Sequence, residues 1–159
     1  MKRIKQLALT GLLTIFALSI NNKAFAHCEI PCGIYGDSLR IEQIREHIVT
    51  LDKSMKMIME LSKEETVNYN QLVRWINNKD DHANQLQDIV SQYFLHQRIK
   101  PVDPENKDMH EKYVKHLTLM HELLVYAMKA KQTTDLKYID KLNETVTKFA
   151  KSYFHSHKH

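Results

Sequence analysis

The sequence predicts an all-α fold, an antiparallel four-helix bundle with an N-terminal metal-binding hook. Two observations carry the bundle. Of the three glycines and three prolines in 159 residues, none falls between Asp37 and Lys100, so a long stretch lacks the residues that break helices most readily. Within it and after it, apolar residues recur at spacings of three and four, the period of a helix that buries one face. A third observation sets the N-terminal part aside. The only two cysteines, Cys28 and Cys32, follow directly on a segment with the features of a signal peptide.

Residues 1–26 form that segment, expected to be removed by signal peptidase. Lys2, Arg3 and Lys5 make a basic start, Leu7 to Ile20 is apolar, and Ala24-Phe25-Ala26 supplies small residues at a cleavage site. The apolar run is short for a membrane span, so no stable span is expected after processing. His27, not a small residue, precedes Cys28, which argues against a lipoprotein. No twin-arginine pair is present, so export of an unfolded chain is expected, with the protein periplasmic or otherwise extracytoplasmic. The formal charge of +4 and the pI near 9.0 owe much to Lys2, Arg3, Lys5 and Lys23. Without these four, basic and acidic residues balance, and no basic stripe argues for nucleic acid.

Residues 27–36 are the metal-binding segment, 37–154 the bundle and 155–159 a histidine-rich tail expected to be exposed. The first helix has Ile41, Ile44, Ile48, Leu51, Met55 and Ile58 along one face, with Asp37 or Ser38 available to cap its start. Ser62-x-x-Glu65 has the form of a capping box and is expected to open the second helix, with Leu72, Trp75, Leu86, Ile89 and Tyr93 on one side. The polar run Asn77 to Asp81 offers a place for an irregularity. Pro101 and Pro104 punctuate the next connection. Tyr113, Leu117, Met120, Leu124 and Met128 make the third stripe. After the polar break Lys131 to Asp135, a fourth stripe comprises Leu136, Ile139, Val146, Phe149 and Tyr153.

The chemistry concentrates at His27. A cut before it would create a free α-amine beside an imidazole and the thiol of Cys28, with a second thiol at Cys32. A cysteine pair in an exported protein ordinarily reads as a disulfide, yet closing so small a loop adds little stability. With His27 alongside, a metal site is the better reading. Amine, peptide nitrogen and Cys28 sulfur lie in successive five-membered chelate rings, which favours a planar donor set. Planar nitrogen and sulfur donors suit Ni(II) or Cu(II) better than tetrahedral Zn(II). Thiolates reduce Cu(II), which leaves nickel as the persistent ion. Pro31 helps the segment turn, and Gly33 allows close approach without a side chain.

The run His27-Cys28-Glu29-Ile30-Pro31-Cys32-Gly33-Ile34-Tyr35 resembles the nickel hook of the nickel-containing superoxide dismutase family, with every motif position filled. The resemblance implies a four-helix bundle assembled as a homohexamer, one nickel ion per chain, and superoxide as substrate, converted to dioxygen and hydrogen peroxide by Ni(II)/Ni(III) cycling. By the same resemblance His27 would supply amine and imidazole, Cys28 its amide nitrogen and thiolate, and Cys32 the second thiolate. Tyr35 would gate access of small anions. Glu42, matched with a one-residue gap, would support the axial imidazole; the alternative is a solvated helix face. Tyr93 would be a second access tyrosine; the alternative is core packing. The arginine that the family carries on its second helix falls here on Asn78, with Arg74 one turn earlier.

The other chemistry-bearing residues read more plainly. Met55, Met57 and Met59 do not share one helix face and read as core and surface methionines. His47, His82, His96, His110, His116 and His121 show no ligand spacing with cysteine and read as surface or satisfied side chains. An exported nickel- or copper-binding delivery protein would use the same ligands, but has no need of Tyr35 or Pro31. A di-iron bundle would require Glu-x-x-His pairs, and a c-type haem protein Cys-x-x-Cys-His. Neither motif occurs. A structural four-helix module with a short disulfide uses the fewest of these features.

Overall fold

The structure, a computed structural model, describes residues 33–155. Four long helical runs follow one another: α1 (Asp37–Leu61), α2 (Tyr69–Asp88) continued without a break by a π-helical segment (Ile89–Arg98), α3 (Lys107–Gln132) and α4 (Lys137–His155). Side-chain bonds set their directions. Asn78 bonds Ser54 while Asp37 meets Arg98, so α1 and α2 run antiparallel. Lys79 meets the carbonyl of Ala130 and Gln87 that of Leu124, and His116 pairs with Ser152, which sets the remaining helices down and up in turn. The described residues are helical with no strand, an antiparallel four-helix bundle as predicted.

The first stripe is buried as expected: Ile41, Ile44, Ile48, Leu51, Met55 and Ile58 all face the core. The capping expectations fail on both sides of it. Gly36 occupies the N-cap of α1, and the Asp37 carboxylate bonds other elements instead of its own helix. Ser62 ends α1, donating its hydroxyl to the Ile58 carbonyl at 2.6 Å, so the capping-box pattern there opens no helix. Asparagine starts the next two helices: Asn68 Oδ1 accepts from the Gln71 amide and Asn106 Oδ1 from the Met109 amide, satisfying amides that lack intrahelical partners.

The irregularity also lies elsewhere than expected. Asn77 to Asp81 is continuous helix, because Lys79 turns inward and its ammonium binds the carbonyls of Ala130 and Lys131 at the end of α3. A buried cation there meets the negative end of a helix dipole as well as Asp80. The departure comes at Ile89–Arg98. In α3 the buried face is His116, Leu119, Met120, Leu123, Ala127 and Ala130. Of the predicted stripe only Met120 is fully buried; Tyr113, Leu117 and Leu124 are partly so and Met128 is exposed. Two alanines account for the rotation, since apolar spacing in the sequence weights large side chains whereas close helix contact selects small ones. The fourth stripe holds, with Leu142 and Thr145 added and Leu136 only partly buried.

Between α1 and α2 the imidazoles of His47 and His82 face each other, Nδ1 to Nδ1 at 2.9 Å. One nitrogen must donate and the other accept, so the pair holds together only while one of them is unprotonated there. Burial, reinforced by repulsion from His82, keeps the His47 pKa below its ordinary 6.5, against a small opposing pull from Glu46. A histidine with a lowered folded pKa contributes stability above the unfolded value that is lost as pH falls through the folded one. His47→Gln is therefore expected to melt with a shallower dependence on pH than the parent between about pH 7 and pH 5. Thermal melts across that range check it, and an equal decline in both proteins would contradict it.

Candidate functional site

The residues that follow Cys32 enter the bundle at the end where α1 begins and the π-helical segment and α4 finish. Gly33 has φ +81, a left-handed conformation that glycine adopts without strain. Gly36 then gives way to α1. Here three elements converge on one carboxylate. Asp37 Oδ1 accepts from the Tyr93 hydroxyl at 2.6 Å and from Arg98 Nε at 2.8 Å. Its Oδ2 accepts from Arg98 Nη2 at 2.7 Å and from the Tyr153 hydroxyl at 2.8 Å. The Arg98 fork is thus bidentate, the strongest form of this pair, and both side chains are largely covered, at 24% exposure for Arg98 and 16% for Asp37.

The π-helical segment makes this convergence possible. In an α-helix of 3.6 residues per turn, side chains five apart diverge by about 140°. Bonds from i to i+5 widen the turn and bring such residues much closer to one face, as in the bond from the Ile99 amide to the Phe94 carbonyl at 2.8 Å. Tyr93 and Arg98 are five apart and reach the same carboxylate. Behind them Phe94, Phe149 and Tyr153 pack as an aromatic cluster with ring centroids 5.1–5.8 Å apart. His116 lies against Phe149 and Tyr153 and bonds Ser152 at 3.1 Å.

Electrostatics follow from the contacts. Burial alone would raise the Asp37 pKa, but the bonds from Arg98, Tyr93 and Tyr153 outweigh it and hold the carboxyl below the usual range. Burial, then the Asp37 carboxylate, pushes the Tyr93 phenol up to about 12. The Tyr153 phenol is raised for the same two reasons, and the bond to Asp37 raises Arg98. At neutral pH both phenols are protonated donors to an ionised carboxylate. The Tyr93 hydroxyl also accepts the Gly36 amide at 2.8 Å.

Tyr35 and Tyr93, both singled out in the sequence, are brought together edge to face with ring centroids 6.0 Å apart. Tyr93 is buried, at 3% exposure, so it is packed in the core and also touches Tyr35. Tyr35 is 42% exposed. The guanidinium of Arg98 lies 4.2 Å from the Tyr35 ring centroid and that of Arg40 5.2 Å from the Tyr93 centroid, so each ring carries a cation on its face. Glu42 is on the outward side of α1, 68% exposed and 3.7 Å from Arg45. Asn78 bonds Ser54 and Arg74 is exposed; the arginine that joins this cluster is Arg98. His27, Cys28 and Cys32 lie outside the described residues. Among the described residues, no group of three or more His, Cys, Asp or Glu could hold a metal ion, and no helix is long and apolar enough to cross a membrane.

Asp37, Arg98 and Tyr153 are the members the sequence did not reveal. Asp37 read as a cap and Tyr153 as core, and helical periodicity turns Arg98 away from Tyr93. The signal that remained was the position of Asp37, two residues after Tyr35.

Comparison with curated proteins and with solved structures returned no match. The family profile described as nickel-containing superoxide dismutase matches residues 22–158. That match spans the cysteine-bearing segment and the whole bundle, so the chain belongs to the nickel-containing superoxide dismutase family, oxidoreductases with a nickel cofactor.

Proposed function

We propose that the mature protein begins at His27 and dismutates superoxide at one nickel ion held by the His27 amine and imidazole, the Cys28 amide nitrogen and thiolate, and the Cys32 thiolate. This donor set fits nickel. Two thiolates and a deprotonated amide are anionic and electron-rich, as a high oxidation state requires, and such nitrogen and sulfur donors suit a late d-block ion. Nickel bound there would supply the electron exchange between Ni(II) and Ni(III) by which two superoxide ions and two protons become dioxygen and hydrogen peroxide.

The observation that carries this reading in the bundle is the Tyr35–Tyr93 pair, held by Arg98 and Asp37 at the point where the chain enters α1. Tyr35 is the exposed partner and the one able to meet a small anion. Tyr93, its hydroxyl fixed between Asp37 and the Gly36 amide, backs it as a neutral donor, not as a source of protons. The Arg40 cation, 5.2 Å from the Tyr93 ring centroid, favours approach of an anionic substrate, whereas the Arg98 charge is balanced by Asp37. A delivery protein has no use for such a clamped pair. In this reading Glu42 supports the His27 imidazole, signal peptidase exposes the His27 amine, the protein works outside the cytoplasm, and the chains assemble as a homohexamer.

The test is direct. Protein exported through its own leader under nickel-replete growth is expected to start at His27 and to carry about one nickel per chain, by terminal sequencing and elemental analysis. Full occupancy by zinc or iron with nickel absent would overturn the proposal.

A further inference from the structure

We propose that Arg98 is a positioning residue for dismutation, acting on both access tyrosines at once, and that the π-helical turn exists to put it there. The inference rests on the functional reading of Tyr35 and Tyr93 given above. Each link is a short contact. The Arg98 guanidinium lies over the Tyr35 ring, its central carbon 4.2 Å from the ring centroid. Its edge donates twice to Asp37, through Nε to Oδ1 and Nη2 to Oδ2. Asp37 Oδ1 in turn receives the Tyr93 hydroxyl, and that hydroxyl receives the Gly36 amide. One guanidinium therefore sets the ring of Tyr35 directly and the hydroxyl of Tyr93 through a carboxylate.

A plain tie between helix ends would need only the ion pair. It would not need the cation placed over Tyr35, a half-exposed side chain in a segment, Ile34 to Gly36, that belongs to no helix. Nor would it need ten residues of π-helix, a geometry poor enough to be rare and to occur mostly as single turns at functional sites. With regular α-helix through Arg98, Tyr93 could keep Asp37 only if Arg98 turned away from it. Lysine would not replace arginine here. It is a point charge that can neutralise Asp37 but cannot offer two parallel donors and a flat face together.

The experiment compares Arg98→Gln and Arg98→Lys in the full processed chain, first without metal. The Gly36 amide precedes the helix, and its bond to Tyr93 is what protects it from solvent exchange. Both variants are expected to speed exchange at Gly36 by about tenfold or more and to shift the Tyr35 ring resonances, with exchange at Ile48 and Leu51 unchanged. A role in stability alone would raise exchange at all three. With nickel bound, both variants are expected to keep the parent's metal content and lose about 10- to 100-fold in kcat/KM, as misplacement of positioned groups does, with the lysine variant less affected.

Unchanged Gly36 exchange and Tyr35 resonances in both variants would overturn the proposal. So would release of Gly36 and Tyr35 with full activity retained. Tyr35→Phe and Tyr93→Phe separate this from the underlying reading: full activity in both would remove the tyrosine role itself, whatever Arg98 does.

Discussion

Cys28→Ser is expected to abolish dismutation, by at least about 100-fold, while the helical bundle remains folded. A serine hydroxyl stays protonated at neutral pH, so the change removes an anionic donor and replaces a soft ligand with a hard neutral one. Cys32→Ser removes the second thiolate and is expected to do the same. Retaining Ala26 ahead of His27 attacks the site from another side, since the ligand amine becomes a neutral amide, whose nitrogen can bind a metal only after losing its proton. In all three cases metal content and activity should fall together. The fold should not, because the apolar core of the described residues is drawn from Ile41 to Tyr153. Circular dichroism reports the bundle, and a superoxide assay on metal-analysed protein reports the site. Activity within a few-fold of the parent in any of the three would mean that the metal is held by other groups.

Sequence and structure agree most closely where large side chains repeat at helical spacing. Ile41 to Ile58 and Ile139 to Tyr153 were legible because every third or fourth residue is bulky and apolar, and burial follows bulk. Agreement fails where small residues or polar partners decide. Ala127 and Ala130 turn the buried face of α3 away from the stripe that Leu117 and Leu124 suggest. Lys79 lies in the polar run where an irregularity is expected, yet the open carbonyls at the end of α3 draw it inside a continuous helix. The site divides in the same way. Tyr35 and Tyr93 could be picked out one at a time, and so could the donors of the N-terminal segment. The group that joins the two tyrosines could not. Arg98 is linked to Tyr93 only by a helix of unusual pitch, and no local residue pattern in Ile89–Arg98 announces one.

Phe94→Ala is expected to cost about 3–5 kcal/mol of stability, which for a domain of this size lowers the melting temperature by roughly 10–20 °C. The side chain is fully buried and meets Tyr93, Phe149 and Tyr153 edge to face at centroid distances of 5.0, 5.1 and 5.8 Å. Truncation leaves a void directly behind both phenols that hold Asp37. Leu51→Ala should cost a comparable amount, because Leu51 is also fully buried, but its void lies about four turns along α1 from Asp37. The two variants therefore separate stability from positioning. Assayed well below their melting temperatures, Leu51→Ala should keep nearly all the parent's activity per bound metal, and Phe94→Ala should lose several-fold. Denaturant melts give the first quantity and assays on metal-analysed protein the second. Equal activity in the two would mean that the phenols hold their places without the ring behind them. In that case the bonds to Asp37, not the aromatic packing, would carry the geometry of the site.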